Sequence, residues 1–449
     1  MTQVFALHSA YGLATAAAAI DAGLLADSGT APERLLVPFT SSRVPETTVS
    51  IGDDPALRSL RRRFHRIEPL ERVLGPLHPS GWEPGESELP VLGRLLARAW
   101  DLDPHDLELC VQSPQVAPAR TLLALFPTAR LTIIGDGLMT YAPMRVRLPH
   151  TVTVRIARVV HADVVPGVRP LVGGPQAQTV PVPAAAFAAA LRETDEPEPS
   201  VESGPSTVLV LGQYLSALEL VTPAEELALQ QRLVDRAAAW APARIVFKPH
   251  PAAPPQLAEA VGARVAAHGI AFAEHRGRGA AELLAERLDA RAVVAAFSTA
   301  LPTAQTLFGR EIGSAGTAQL LTALAPFENS NRVPLVLVDA LTRADAPRAT
   351  PARLQHLIDA VGYAMQPEVA AHLRPRAEEL LHELDDAERR RYFADERLRL
   401  LGLPGAPRDS ARERLLRPSG GVGPWEEWRL TAVGARRRAG RAWREIRGR

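Results

Sequence analysis

Short apolar runs alternate with helix-patterned segments along this chain, and the alternation restarts after residue 206. That rhythm restricts the fold more than any other feature. TQVFALH (2–8), ERLLVPF (33–39), LELCVQS (107–113) and RLTIIGDG (130–137) read as buried strands. Between them, residues 12–24, 88–102 and 118–127 place apolar side chains at helical spacing. Strands alternating with helices predict a parallel sheet covered on both faces, since a parallel crossover needs a connecting helix. Residues 192–206, RETDEPEPSVESGPS, break the series with Pro, Ser and acidic residues, the composition of a linker. The series resumes with STVLVLGQ (206–213), a helix over 223–242, ARIVFKPHP (243–251), GIAFAEH (269–275), RAVVAAFST (291–299) and VPLVLVDAL (333–341). The expected fold is α/β, with two Rossmann-like domains facing across a cleft and a C-terminal helical extension. The expected boundaries are an N-terminal domain over 1–191, a linker over 192–206, a second domain over 207–370 and a C-terminal region over 371–449. Within the last, residues 371–400 read as one long charged helix able to brace the two domains.

Composition agrees with that division. A chain of 449 residues is too long for one ordinary core. A net charge of +1 supplies no global field to recruit nucleic acid or an anionic membrane. The lone cysteine, Cys110, excludes an intramolecular disulfide and reads as a small core residue. Residues 1–20 carry no Lys or Arg ahead of an apolar region, unlike a signal peptide, and hold too many polar residues for a membrane span. The expected location is cytoplasmic. The C-terminal tail sets Trp425, Trp428 and Trp443 among arginines. It reads either as an amphipathic helix making peripheral contact with a membrane or as a solvated tail. Five glycines between 420 and 440 favour the tail.

Ligands of open parallel sheets sit at the carboxyl ends of the strands, so the residues following each strand are the candidates for a site. Asp136, between Gly135 and Gly137, is a carboxylate placed to take a proton from a hydroxyl. An Asp-Gly turn explains it as simply. FKPHP holds His250 between Pro249 and Pro251, beside Lys248. Of 51 Lys and Arg residues, Lys248 is the single lysine. Such a rigid, donor-rich loop matches a phosphate, although His78-Pro79 repeats the dipeptide in a plain loop. Ser298 and Thr299 end a strand and open a helix, which suits an anion or ordinary capping. Each motif alone is weak. Together they suit a nucleotide-sugar transferase, with the leaving nucleotide on the second domain and the acceptor on the first.

At this point the chain resembles the bacterial α-2,8-polysialyltransferases and related sialyltransferases of the GT-B fold. The likeness rests on GDGLMTYAPMR (135–145), VLGQYLSALELVTPAEE (210–226), VFKPHP (246–251), FSTALPTAQTLFG (297–309) and FENSNRVP (327–334). It implies inverting, metal-independent transfer of sialic acid from the donor CMP-sialic acid to a glycan acceptor, with no cofactor. It implies Asp136 as base and His250 at the donor phosphate. Ser298 and Thr299 would hold that phosphate, with Lys248 and Pro251 beside it. Glu274 would bind the ribose, and Gly212 and Gln213 would line the donor pocket. The family motif carries two acidic residues before its glycine, whereas this chain has Gly135-Asp136-Gly137. Alternatives are a transferase using a CDP- or UDP-linked donor, and a non-catalytic glycan- or nucleotide-binding protein on the same fold.

Overall fold

The computed structural model describes residues 1–26, 31–41, 49–194, 204, 206–217, 219–277, 279–345 and 349–406. Most of the expected linker and the Arg/Trp tail lie outside the described residues. Among the described residues, no helix is long and apolar enough to cross a membrane.

Two parallel sheets carry the fold. The first contains β1 (Thr2–Leu7), β2 (Glu33–Pro38), β3 (Arg66–Ile67), β4 (Leu107–Val111), β5 (Arg130–Ile134), β6 (Ile156–Ala162) and β7 (Gln178–Val182), in the order β3-β2-β1-β4-β5-β6-β7. The second contains β8 (Thr207–Leu211), β9 (Arg244–Lys248), β10 (Ala271–Glu274), β11 (Ala292–Val294) and β12 (Glu311–Gly313), in the order β10-β9-β8-β11-β12. Every pairing is parallel. β4 and β8 are buried along their whole length, which explains their unbroken apolar sequences. Cys110 lies in β4 with no exposure, and burial pushes its thiol pKa well up, as a core residue should behave. The GT-B-like expectation of two Rossmann-like halves is met by these two sheets.

Two expectations are corrected. VPLVLVDAL is not a strand but the interior of a helix, Arg332–Thr342, buried from Arg332 to Ala340. An apolar run this short does not distinguish a core strand from a core helix. Pro334 decides it, because the first helical turn tolerates a missing N–H that a central strand does not. Arg332 then folds back over the preceding segment and donates to the carbonyls of Phe327 (2.8 Å) and Leu324 (2.7 Å). The single charged helix expected over 371–400 is instead three helices, Arg374–Glu383, Asp386–Tyr392 and Asp395–Leu401. Asp385 stops the first and caps the second, accepting the Glu388 amide at 2.8 Å.

Both sheets belong to one compact unit, Met1–Leu380, and Leu381–Arg449 forms another. Within the first unit, the helix Pro351–Met365 returns to the first sheet. The Gln355 Oε1 accepts the Arg169 amide at 2.6 Å, and Gly362 packs against Leu171. In the second unit, the Arg389 side chain lies against Gly405.

A polar ladder runs through the first sheet near the start of β1. Glu108 is fully buried and accepts from Arg158 Nη2 at 2.8 and 3.0 Å, from Gln3 Nε2 at 2.7 Å and from Thr132 Oγ1 at 2.5 Å. It stitches β1, β4, β5 and β6 together at the end away from their carboxyl termini.

Candidate active site

Strand order reverses between β1 and β4 in the first sheet and between β8 and β11 in the second. Such reversals open a crevice at the carboxyl ends. A glutamine spans each one. Gln112, just past β4, accepts the His8 amide at 2.9 Å and the Ser9 amide at 3.3 Å, and donates to Ser9 Oγ at 2.9 Å. Gln213, just past β8, accepts the Phe297 amide at 2.9 Å and donates to the same residue's carbonyl. The predicted pocket residue Gln213 thus ties two strand ends rather than standing free.

Asp136 follows β5 and is half-buried. Ser9 Oγ accepts from Gln112 and from the Gly12 amide (3.0 Å), so its own hydrogen points to Asp136 Oδ1 at 3.0 Å. Among the described residues, Oδ2 has no protein donor, which leaves that oxygen for an incoming group. The Asp136 amide is tied to Thr140 Oγ1 at 2.8 Å.

The two glycines beside Asp136 are forced by contact. A Cβ at Gly135 would lie 2.8 Å from Thr140 Oγ1 and 2.9 Å from His161 Cβ. An acidic side chain at that position has no room here, which accounts for Gly-Asp-Gly in place of two acids. Gly137 has φ +55, and a Cβ there would lie 2.6 Å from Thr299 Oγ1. The first motif therefore packs directly on the third: the Leu138 amide donates to Thr299 Oγ1 at 3.2 Å.

In the second half, Ser298 Oγ accepts the Ala300 amide at 3.2 Å, at the start of the helix Ala300–Phe308. Both motif hydroxyls act as acceptors toward the protein and so keep their hydrogens for an anion. His250 is exposed on one side, and its Nδ1 accepts the Ala252 amide at 3.2 Å. That bond places the neutral ring's proton on Nε2. Burial of the other side lowers the His250 pKa, opposed by the charge of Glu226. His78 makes the same turn, its Nδ1 accepting the Ser80 amide at 3.2 Å, so the dipeptide itself is a local device. Its position after β9 is what distinguishes His250. Pro251 is exposed beside it.

Lys248 sends its ammonium to the Gly277 carbonyl, holding the loop after β10. Gly212 donates its amide to the Lys248 carbonyl at 2.8 Å, under Phe247 and Pro249. Glu274 ends the edge strand β10, level with Phe247, and pairs with Arg276 at 2.8 Å.

Sequence reasoning passed over several residues here. His8 and Ser9 follow β1, and the strand-end rule applied elsewhere would have found them. Burial lowers the His8 pKa, and the Asp136 charge opposes this. Glu226 is fully buried and accepts the Leu215 and Ser216 amides, each at 2.8 Å, fixing the loop past β8. Glu282 is buried and its carboxyl pKa is raised by that burial, while Tyr11 from the first half has a buried hydroxyl on which the Glu282 charge acts. No local pattern marks Glu282.

His161, beneath Gly135, makes the site sensitive to acid. Its Nδ1 lies 3.1 Å from the Ala162 carbonyl and donates to it, while Nε2 is buried with no partner. Burial pushes its pKa from 6.5 down to about 4. The unfolded chain therefore binds a proton that the folded chain refuses between those values, and stability falls as pH drops through that window. The loss expected from this residue is about 3 kcal/mol. Urea titrations from pH 7 to pH 4 should show it, and His161→Phe should flatten that part of the curve. An unchanged slope in the variant would assign the acid sensitivity elsewhere.

The model of one protein family, "Alpha-2,8-polysialyltransferase (POLYST)", matches residues 3–312. The chain belongs to the α-2,8-polysialyltransferase family. As a member, it is a glycosyltransferase of sialyl transfer, and its substrates are a nucleotide sugar and a glycan acceptor. The match spans β1 through β12 and includes all three motifs. No curated protein matches the polysialyltransferase-family chain in sequence. Solved structures similar to it include a glycosyltransferase from Rickettsia africae, with 9% identity, TM-score 0.37, and coverage of 84% of this chain and 93% of that one. MurG from Acinetobacter baumannii is another, with 11% identity, TM-score 0.33, and coverage of 86% and 100%.

Proposed function

We propose that the chain moves sialic acid from CMP-sialic acid to a hydroxyl of a glycan acceptor, with inversion and without a metal. Asp136 is the base. What supports this reading is the Leu138–Thr299 bond, which sets the Asp136 turn against the Ser298-Thr299 turn at 3.2 Å. Oδ2 of Asp136 takes the acceptor proton as the new bond forms. His250 Nε2–H and the hydroxyls of Ser298 and Thr299 stabilise the phosphate that leaves. Glu274 remains the proposed ribose contact, once released from Arg276. Lys248 positions the loop around the nucleotide rather than touching it.

The test is ligand-induced thermal stabilisation with CMP, CDP, UMP, UDP and CMP-sialic acid. CMP compounds should stabilise the protein. His250→Ala should weaken that binding by about 10- to 100-fold, the cost of one hydrogen bond to a charged group. Stabilisation by diphosphates alone would overturn the donor assignment. Loss of transfer in EDTA would overturn the metal-free reading, and product configuration by NMR checks inversion.

A further inference from the structure

A cavity of about 420 Å³ lies at the carboxyl ends of the first sheet, and neither Asp136 nor any donor motif lines it. One wall is Phe39–Ser41, directly after β2. A second is the stretch from Val116 to Arg120, after β4 and into the helix Ala119–Leu125. Ser80 and Glu83 complete it. β4 pairs with β5, about 5 Å away, and Asp136 follows β5. A second link runs through β1: Ser41 Oγ lies 3.4 Å from His8 Nδ1, and the next residue, Ser9, donates to Asp136. The His8 ring packs on Phe39, with centroids 5.4 Å apart.

This lining carries hydroxyls and apolar surface without net charge. Thr40, Ser41 and Ser80 each bring a hydroxyl that can give and accept a hydrogen bond, as the hydroxyls of a sugar require. The Thr40 amide donates to Glu71 Oε1 at 2.7 Å, which fixes the first wall. Glu83 and Arg120 are the charged residues of the lining, and they pair with each other. The hollow therefore offers a carboxylate no unmatched guanidinium. Val116 is 41% exposed and, with Pro118, gives an apolar surface for the C–H face of a pyranose. Apolar walls with a few convergent polar groups, at this volume, suit a small ligand.

We propose that this hollow binds a neutral sugar of the acceptor, beside the unit that receives sialic acid. Its place in the acceptor rests on the sialyl-transfer reading, whereas the binding of a neutral sugar does not. Acceptors whose terminal sialyl unit is carried on a neutral disaccharide are then better substrates than acceptors built of sialic acid alone.

The experiment titrates the full chain with lactose, chitobiose, sialyllactose and the sialic acid dimer, and repeats the titrations on Val116→Trp and Ser41→Ala. Position 116 is exposed, so tryptophan there fills the hollow without entering the core. Wild-type protein should bind at least one neutral disaccharide, and sialyllactose more tightly than the dimer. Val116→Trp should weaken the neutral sugar and sialyllactose by about tenfold or more, and Ser41→Ala by about 2- to 10-fold, the loss of one neutral hydrogen bond. In Val116→Trp, dimer affinity, unfolding temperature and CMP-induced stabilisation should keep their wild-type values. In turnover by that variant, KM for sialyllactose should rise while kcat holds. Failure of both neutral disaccharides to bind would overturn the proposal. So would unchanged affinities in Val116→Trp, or an equal loss for the dimer, which would assign the hollow to the acidic units. Neutral-sugar binding that Val116→Trp abolishes, in a protein that transfers no sialic acid, would instead refute the catalytic reading and leave the site standing.

Discussion

Asp136→Asn is expected to lower kcat by about 10²- to 10⁴-fold, the contribution of a positioned general base. CMP-induced stabilisation should not change. Asparagine keeps an oxygen for Ser9 Oγ, which donates at 3.0 Å, so the turn and its packing on Thr299 survive. What is lost is the proton acceptor at Oδ2. The measurement is initial rate of sialyl transfer beside a CMP titration on the same preparation. Full activity in the variant would remove Asp136 as base and turn attention to His8, whose pKa burial lowers and the Asp136 charge raises. Ser9→Ala tests the arrangement from the other side. It removes a donor that steers the carboxylate without touching the reacting oxygen, so its rate loss should be smaller. Restoring a second acid by Gly135→Asp should not help, because the new Cβ would press on Thr140 and His161.

Arg158→Ala should cost about 3–5 kcal/mol of stability, since it leaves Glu108 charged, buried and without its cation. Glu108 has no exposure and takes hydrogen bonds from both Nε and Nη2 of Arg158. Gln3 and Thr132 remain as donors but carry no charge. Chemical denaturation gives the difference directly. The double replacement Glu108→Leu with Arg158→Met should recover most of the loss, since apolar groups of similar volume satisfy the same space without desolvating ions. If the double variant is as unstable as the single one, the ladder contributes through shape rather than charge.

Much of the fold was legible because its strands are buried on both faces and its helices are amphipathic. Those patterns survive in one dimension. The Arg332–Thr342 helix escaped because it is buried all round, and an apolar run then loses its period. The helices after residue 370 escaped because Asp385 acts as a cap, and capping depends on where the chain already turns. β6 and β7 were passed over, although both carry strand-like valines. At the site, Asp136, His250, Ser298 and Thr299 were legible from their places after strands. Glu282, Gln112 and Tyr11 were not, because each acts on a segment distant in sequence.

The sequence by itself determined the alternating α/β pattern, the restart after residue 206 and the three motifs, since local periodicity and strand ends encode them. Only the tertiary structure decided what those motifs do to one another. It set Gly137 beneath Thr299 and turned Lys248 onto the Gly277 carbonyl. It also left no space for a side chain at Gly135. Contacts of this kind depend on which strand ends meet, and that follows from the order of strands in the two sheets rather than from any stretch of residues read alone.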